Sequence, residues 1–173
     1  PPISQKVDAA ALAAGKEVKP WQDRRDDMKN VCSNCHTSSF VDNFYFQYDG
    51  AVELYNTKFA VPATEIYERI RASELISSDI NFDDELEWTY FYLWHHEGRR
   101  ARMGAAMFAP DYTQWHGFFE VAERFYQEFL PQVLEIVEEA KAAGGDRAAA
   151  AEEVEQLVHQ TLDMDEHKWF TGN

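Results

Sequence analysis

The sequence is short of sulfur, short of positive charge and free of long apolar runs, and each shortage excludes something. Of its 173 residues only 2 are cysteine, so no disulfide framework staples the fold and all thiol chemistry sits at one spot. Lys and Arg number 16 against 31 Asp and Glu, a net charge of −15, which argues against a surface built to grip phosphate backbones. No nucleic-acid partner is expected. No segment approaches the roughly 18 consecutive apolar residues of a membrane helix, so no membrane span is expected either. Gly and Pro are few, 8 and 6, and neither strand alternation nor an internal repeat is present.

What is there is a globular composition, 45% hydrophobic and 14% aromatic, in a chain long enough to bury a real core. Residues 1–20, closed by Pro20, have weak periodicity and read as an extended arm or short helix lying across a neighbour. A short helix is predicted from Trp21 to about Val31, with Asp23 and Lys29 placed to suit the helix dipole. Phe44, Tyr48, Val52, Tyr55 and Phe59 recur at helical spacing within 40–72, and Pro62 predicts a bend near residues 58–62. The polar stretch 77–84 reads as a loop. The next helix, about 84–103, carries Leu86, Trp88, Tyr90, Phe91, Leu93 and Trp94 nearly all round, which predicts burial between other elements.

After Pro110, Asp111 followed three residues later by Gln114 reads as a capped helix start. The long helix that follows should bury Phe118, Ala122, Phe125, Phe129, Val133 and Ile136, bend at Pro131 and stop at Gly144-Gly145. A last helix, about 146–162, shows a narrow stripe of Ala150, Val154, Leu157 and Thr161 and reads as a docking or capping helix.

Both cysteines fall in Val31-Cys32-Ser33-Asn34-Cys35-His36. Cys-x-x-Cys-His is the attachment signature of a c-type haem, in which two thiols bond the porphyrin and the adjoining histidine ligates iron. A thioredoxin-like pair would need a strand before it, and a structural zinc site would need two more ligands at finger spacing. Neither context is present, and coincidence is the remaining rival. The expectation is one haem c on Cys32, Cys35 and His36. Such haems are attached outside the cytoplasm, so a periplasmic or equivalent compartment is expected, and a chain opening Pro1-Pro2-Ile3 reads as a mature form or a piece of something longer.

Of the 6 histidines, His95 and His96 stand side by side in Trp94-His95-His96-Glu97-Gly98-Arg99-Arg100. Helix neighbours point about 100° apart, so the two serve different partners. A lone histidine on an aromatic helix is usually a hydrogen-bonded core residue. Two adjacent to Arg99 and Arg100, whose guanidinium groups suit haem propionates, point instead to iron ligation.

The strings Cys32 to His36, Glu87-Trp88-Thr89-Tyr90, Trp94 to Ala105 and Ala109-Pro110-Asp111-Tyr112-Thr113-Gln114-Trp115-His116-Gly117 together resemble the C-terminal part of the octahaem hydroxylamine oxidoreductase family, from about Lys19 to Val137. That family includes hydroxylamine oxidoreductases, hydrazine dehydrogenases and reductive relatives acting on nitrite. The resemblance implies an all-α fold, a long-helix bundle with one c-type haem loop, assembled as a trimer. It also implies bis-histidine electron-transfer haems around a catalytic haem with an open iron position. By the same resemblance His36 is a proximal ligand, and His95, His96 and His116 look like axial ligands, some to haems carried elsewhere in the assembly. Tyr112 looks like the tyrosine that, in the oxidative branch, is covalently bonded to the catalytic haem of the neighbouring subunit; its bland reading is a first-turn helix tyrosine with a wet hydroxyl.

The departure from the family is that a single haem motif stands where an octahaem chain carries the whole set. The expected partners are therefore a haem-rich polypeptide, a homotrimer-type assembly, a soluble cytochrome c acceptor drawn by the acidic surface, and a small nitrogen substrate. A stand-alone monohaem electron carrier, a nitrite-reducing relative and a purely structural subunit are the alternatives. Three regions are expected: 1–39 as arm and haem segment, 40–145 as long-helix bundle, and 146–173 as docking helix and tail.

Overall fold

The computed structural model describes residues 2–77 and 79–172, with side chains from residue 6 onward, and all regular structure among them is helical. One residue of the expected 77–84 loop, Ser78, lies outside that description; the described remainder is irregular, as its polarity predicts. The chain divides into two compact units, Pro1–Gln47 and Tyr48–Asn173.

The first unit holds α1 (Pro2–Ala13), α2 (Trp21–Cys32) and the start of α3 (Ser38–Tyr55). The N-terminal segment is thus a helix, and Arg24 of α2 pairs with Asp8 of α1 at 3.1 Å. Lys29 of α2 pairs with Asp42 of α3 at 2.9 Å, and Arg25 lies over the rings of Trp21 and Tyr45. Apolar burial is nearly absent: of residues 6–47 only Val41 is buried, while Met28, Val31, Phe40 and Phe46 are exposed.

The second unit contains the core. After α3 come a π-helical turn π1 (Asn56–Ala60), α4 (Val61–Ala72), α5 (Glu85–Phe91), π2 (Tyr92–Glu97), α6 (Gly98–Ala106), π3 (Asp111–Phe119), α7 (Glu120–Arg124), π4 (Phe125–Phe129), α8 (Leu130–Ala143), α9 (Gly145–Leu162), a 3-10 turn (Asp165–His167) and α10 (Lys168–Thr171). Tyr55, Phe59, Ile66, Leu86, Leu93, Phe125, Phe129, Val133, Val137, Val154 and Val158 form one buried cluster. Each large side chain removed from water contributes roughly 1.5–3 kcal/mol, so this cluster dominates the unit's stability. α9 packs on α8 and α4, with Lys141 paired to Glu155 at 2.6 Å and Arg147 donating to the Glu74 and Leu75 carbonyls. The helix stops at Ala143 where Gly144-Gly145 predicts it, and α9 docks as expected.

Both prolines expected to bend helices are preceded by the same irregularity, a π-helical turn. Pro62 has no N–H for the carbonyl four residues back and its ring crowds that carbonyl, which widens the preceding turn. Val61 accordingly donates to Asn56 O, and Leu130, just before Pro131, donates to Phe125 O, a reach of one extra residue in each case. The disturbance falls on the turn before the proline.

Two expectations fail. Helix 84–103 is not buried between elements, because Trp88, Tyr92 and Trp94 are 43%, 37% and 42% exposed. Its buried stripe includes Glu87, Thr89, Glu97, Ala101 and Gly104 as well as Leu86 and Leu93, so small and charged residues face inward while Trp88, Tyr92 and Trp94 face out. Asp111 is not the cap either. The helix begins one residue earlier, at Pro110, and the Thr113 hydroxyl and amide both donate to the Ala109 carbonyl, at 2.9 and 3.0 Å.

Candidate functional site

The haem-type motif sits where α2 ends. Ser33, Asn34 and Cys35 form a turn that the Ser33 and Asn34 side chains brace by bonding to Lys29, Asn30 and Val31 carbonyls, and His36 N–H donates to Cys32 O at 3.0 Å. Cys32 and Cys35 are free thiols, half-buried and exposed respectively. The His36 ring stacks on Phe40 with centroids 4.6 Å apart. Exposed Met28 lies one turn before Cys32 and exposed Val31 directly before it, so apolar groups surround the thiols without covering them. A c-type haem is an apolar plate needing two thiols, an imidazole and such a surround, and the donor set fits it.

The second constellation is built on π2, α6, π3 and α7. His116 and Glu120, one turn apart, bond Nδ1 to Oε1 at 2.9 Å. The other oxygen of Glu120 accepts from Arg100 at 2.6 Å, and Arg100 donates through its second terminal nitrogen to His96 Nε2 at 3.0 Å. His96 Nδ1 lies 3.6 Å from Glu97 Oε1, which accepts two hydrogen bonds from Arg124 at 3.0 and 2.9 Å. Arg124 also donates to Glu128 at 2.5 Å and lies over the Tyr92 ring. The chain of contacts therefore runs from His116 to Glu128, and all of it but His116 lines a cleft of about 430 Å³. Glu97 is 3% exposed and its Oε2 is buried without a partner.

His95 stands apart from this chain. It stacks on Phe91 at 4.5 Å and meets Trp94 edge to face, as the angle between helix neighbours requires. Arg99 is exposed. Tyr112 is 54% exposed at the start of π3, with its ring 5.6 Å from that of His116. The helix that carries it is held close to α6: a Cβ on Gly104 would come within 2.8 Å of Thr113 N, and one on Gly117 within 2.7 Å of Ala101 Cα.

His96, Arg100 and His116 are thus brought together, through a carboxylate. The sequence reading missed Glu120, Arg124 and Glu128. Their signal was present, since His116, Glu120, Arg124 and Glu128 alternate in character at four-residue spacing, and His96 and Arg100 repeat that spacing. Among the described residues no cluster of three or more His, Cys, Asp or Glu forms a closed metal cage. Any metal these histidines serve would have other ligands.

Comparison with family models, with curated proteins and with solved structures finds no match to this chain. No helix of the described residues is long and apolar enough to cross a membrane.

Proposed function

We propose that this chain is a subunit or segment of a multihaem c-type oxidoreductase that oxidises hydroxylamine, or hydrazine, and passes the electrons through bis-histidine haems to an external acceptor. The observation that carries the reading is the pairing of a Cys-x-x-Cys-His turn with a first unit that buries only Val41 among residues 6–47 and leaves Met28, Val31 and Phe40 exposed around it. A covalently held porphyrin accounts for both. Haem supplies a one-electron iron couple whose potential is set by its axial ligands and surroundings.

The chain's own part is to hold and to orient. Cys32 and Cys35 anchor the porphyrin and His36 gives an axial nitrogen. His95, His96 and His116 offer imidazoles from two separate faces to haems carried elsewhere in the assembly, and Arg99 and Arg100 offer guanidinium groups to propionates. Arg100 donates to His96 Nε2, so that nitrogen would serve as a ligand only in an arrangement that frees it from this bond. Tyr112 presents its exposed phenol toward a catalytic haem on a neighbouring subunit, in a homotrimer-type assembly with a haem-rich partner. The acidic surface, −15 in all, suits a basic cytochrome c acceptor in a periplasmic or equivalent compartment.

A second reading, a stand-alone monohaem electron carrier, draws on the single cysteine pair. Denaturing mass analysis with haem detection, on protein from its native source, separates them. Covalent attachment to a larger haem-rich polypeptide supports the oxidative enzyme and the Tyr112 bond; a free chain with one haem favours the carrier or a nitrite-reducing relative, and a chain without haem overturns both.

A further inference from the structure

We infer that Glu120 is the positioning residue that turns His116 into a metal ligand, fixing which ring nitrogen is free; the identity of the metal as a haem iron rests on the function proposed above. His116 Nδ1 and Glu120 Oε1 are 2.9 Å apart, and a carboxylate oxygen only accepts. The proton is therefore on Nδ1, since two lone pairs facing each other at that distance would repel. Neutral imidazole carries one N–H, so Nε2 is the free lone pair.

Three further features make this more than a helix-surface pair. Glu120 cannot swing away, because Arg100 holds its other oxygen at 2.6 Å and is itself bonded to His96. Among the described residues the Nε2 atom makes no hydrogen bond, and Asp111 Oδ2, at 3.9 Å, is too far for one. And the ring is 42% exposed on a face whose neighbours Tyr112, Trp115 and Phe119 are 54%, 60% and 50% exposed, an aromatic surround suited to a flat apolar plate arriving from outside the chain.

The carboxylate–imidazole–metal arrangement has a known consequence: the acceptor on the far nitrogen orients the ring and makes the ligating nitrogen more basic. A more basic axial ligand favours the higher oxidation state, which lowers the potential of an iron it binds. Glu120 also reaches His96 through Arg100, which bonds both side chains.

Two measurements test this and fail independently. In the 173-residue chain without metal at neutral pH, long-range nitrogen–proton correlation spectra should show His116 as the Nδ1–H tautomer. Glu120→Gln, whose amide oxygen still accepts, should keep it, and Glu120→Ala should release it toward Nε2–H; a wild-type Nε2–H tautomer, or no change in Glu120→Ala, overturns the inference. In the assembled haem protein, Glu120→Gln should raise the midpoint potential of one haem and alter its low-spin electron-paramagnetic signal while the others stay put. Unchanged potentials and signals there overturn the tuning role. If His116→Ala changes no haem spectrum, the haem reading falls while the tautomer result stands.

Discussion

Phe59 and Phe125 meet edge to face with ring centroids 5.4 Å apart, and each stands on a π-helical turn that runs into a proline. The two widened turns face each other across the core, and His167 from the C-terminal segment fills the remaining wall, 5.5 Å from the Phe125 ring and 6.4 Å from that of Phe59. Helix irregularity and packing density coincide here. The second unit is therefore centred on a contact between two backbone distortions rather than between two regular helices.

Truncating this contact removes two aromatic partners and a wall of the His167 site at once. Phe59→Ala should cost about 3–5 kcal/mol, the range for a buried aromatic replaced by a methyl group. Urea unfolding monitored by circular dichroism reads it directly. A loss under about 1 kcal/mol would mean that the surrounding rings collapse into the space and that the π turns do not depend on each other.

Stability should fall toward both ends of the pH scale for identifiable reasons. Burial, and next the nearby Lys58 charge, hold His167 below its ordinary value of 6.5, opposed by the Lys58 backbone and Glu166. Its Nδ1 bonds the Tyr126 hydroxyl at 2.7 Å and its Nε2 is buried without a full hydrogen bond. The unfolded chain takes up this proton before the folded one does, so stability is complete above 6.5 and declines as pH falls below it. At the other end burial pushes the phenols of Tyr55 and Tyr126 up to about 12, so the unfolded chain loses those protons first and stability declines as pH rises past 10. Unfolding midpoints across the pH range should show both edges, and His167→Gln should flatten the acid one. An acid edge unchanged in that variant would assign it to the carboxylates instead.

Most of the helical frame can be read from spacing alone. Phe125, Phe129 and Val133 are fully buried where the periodicity puts them, and α9 docks through Val154 and Thr161 as its narrow stripe predicts. The site is less legible, and Glu97 shows why. Hydropathy assigns a glutamate outward and Trp94 inward, yet Glu97 is 3% exposed and Trp94 42%, because Arg124 from an element 27 positions away supplies the charge that makes burial affordable. Long-range ion pairs leave no periodic trace. The Cys32 to His36 turn is the opposite case, since the chemistry proposed for it rests on five consecutive residues.

That buried pair makes its own prediction. Removing Glu97 leaves a guanidinium that is 23% exposed with Glu128 and the Tyr92 ring but an empty pocket in place of its buried carboxylate, whereas removing both partners leaves no uncompensated charge. Glu97→Ala should therefore destabilise by about 3–5 kcal/mol, and the Glu97→Ala, Arg124→Ala double variant by less than the sum of the singles. Additive losses in a double-mutant cycle would mean that the two side chains act separately.

Tyr112 supplies the sharpest test of the proposed enzyme, because its surroundings separate chemistry from folding. The side chain is 54% exposed, so Tyr112→Phe removes one hydroxyl from the surface and should leave unfolding within about 0.5 kcal/mol of wild type. In the assembled protein the same change should abolish hydroxylamine or hydrazine oxidation and the covalent attachment to the partner chain. Gly117→Ala is the structural counterpart: its Cβ would meet Tyr112 O at 2.5 Å and the Ala101 Cα at 2.7 Å, so it shifts the helix that carries Tyr112 while keeping the phenol. Overpacking of this kind costs roughly 1–3 kcal/mol. If the phenol itself is the functional group, Tyr112→Phe is inactive but stable and Gly117→Ala is destabilised with partial activity. Full turnover by Tyr112→Phe would remove Tyr112 from the site and leave the chain as an electron carrier.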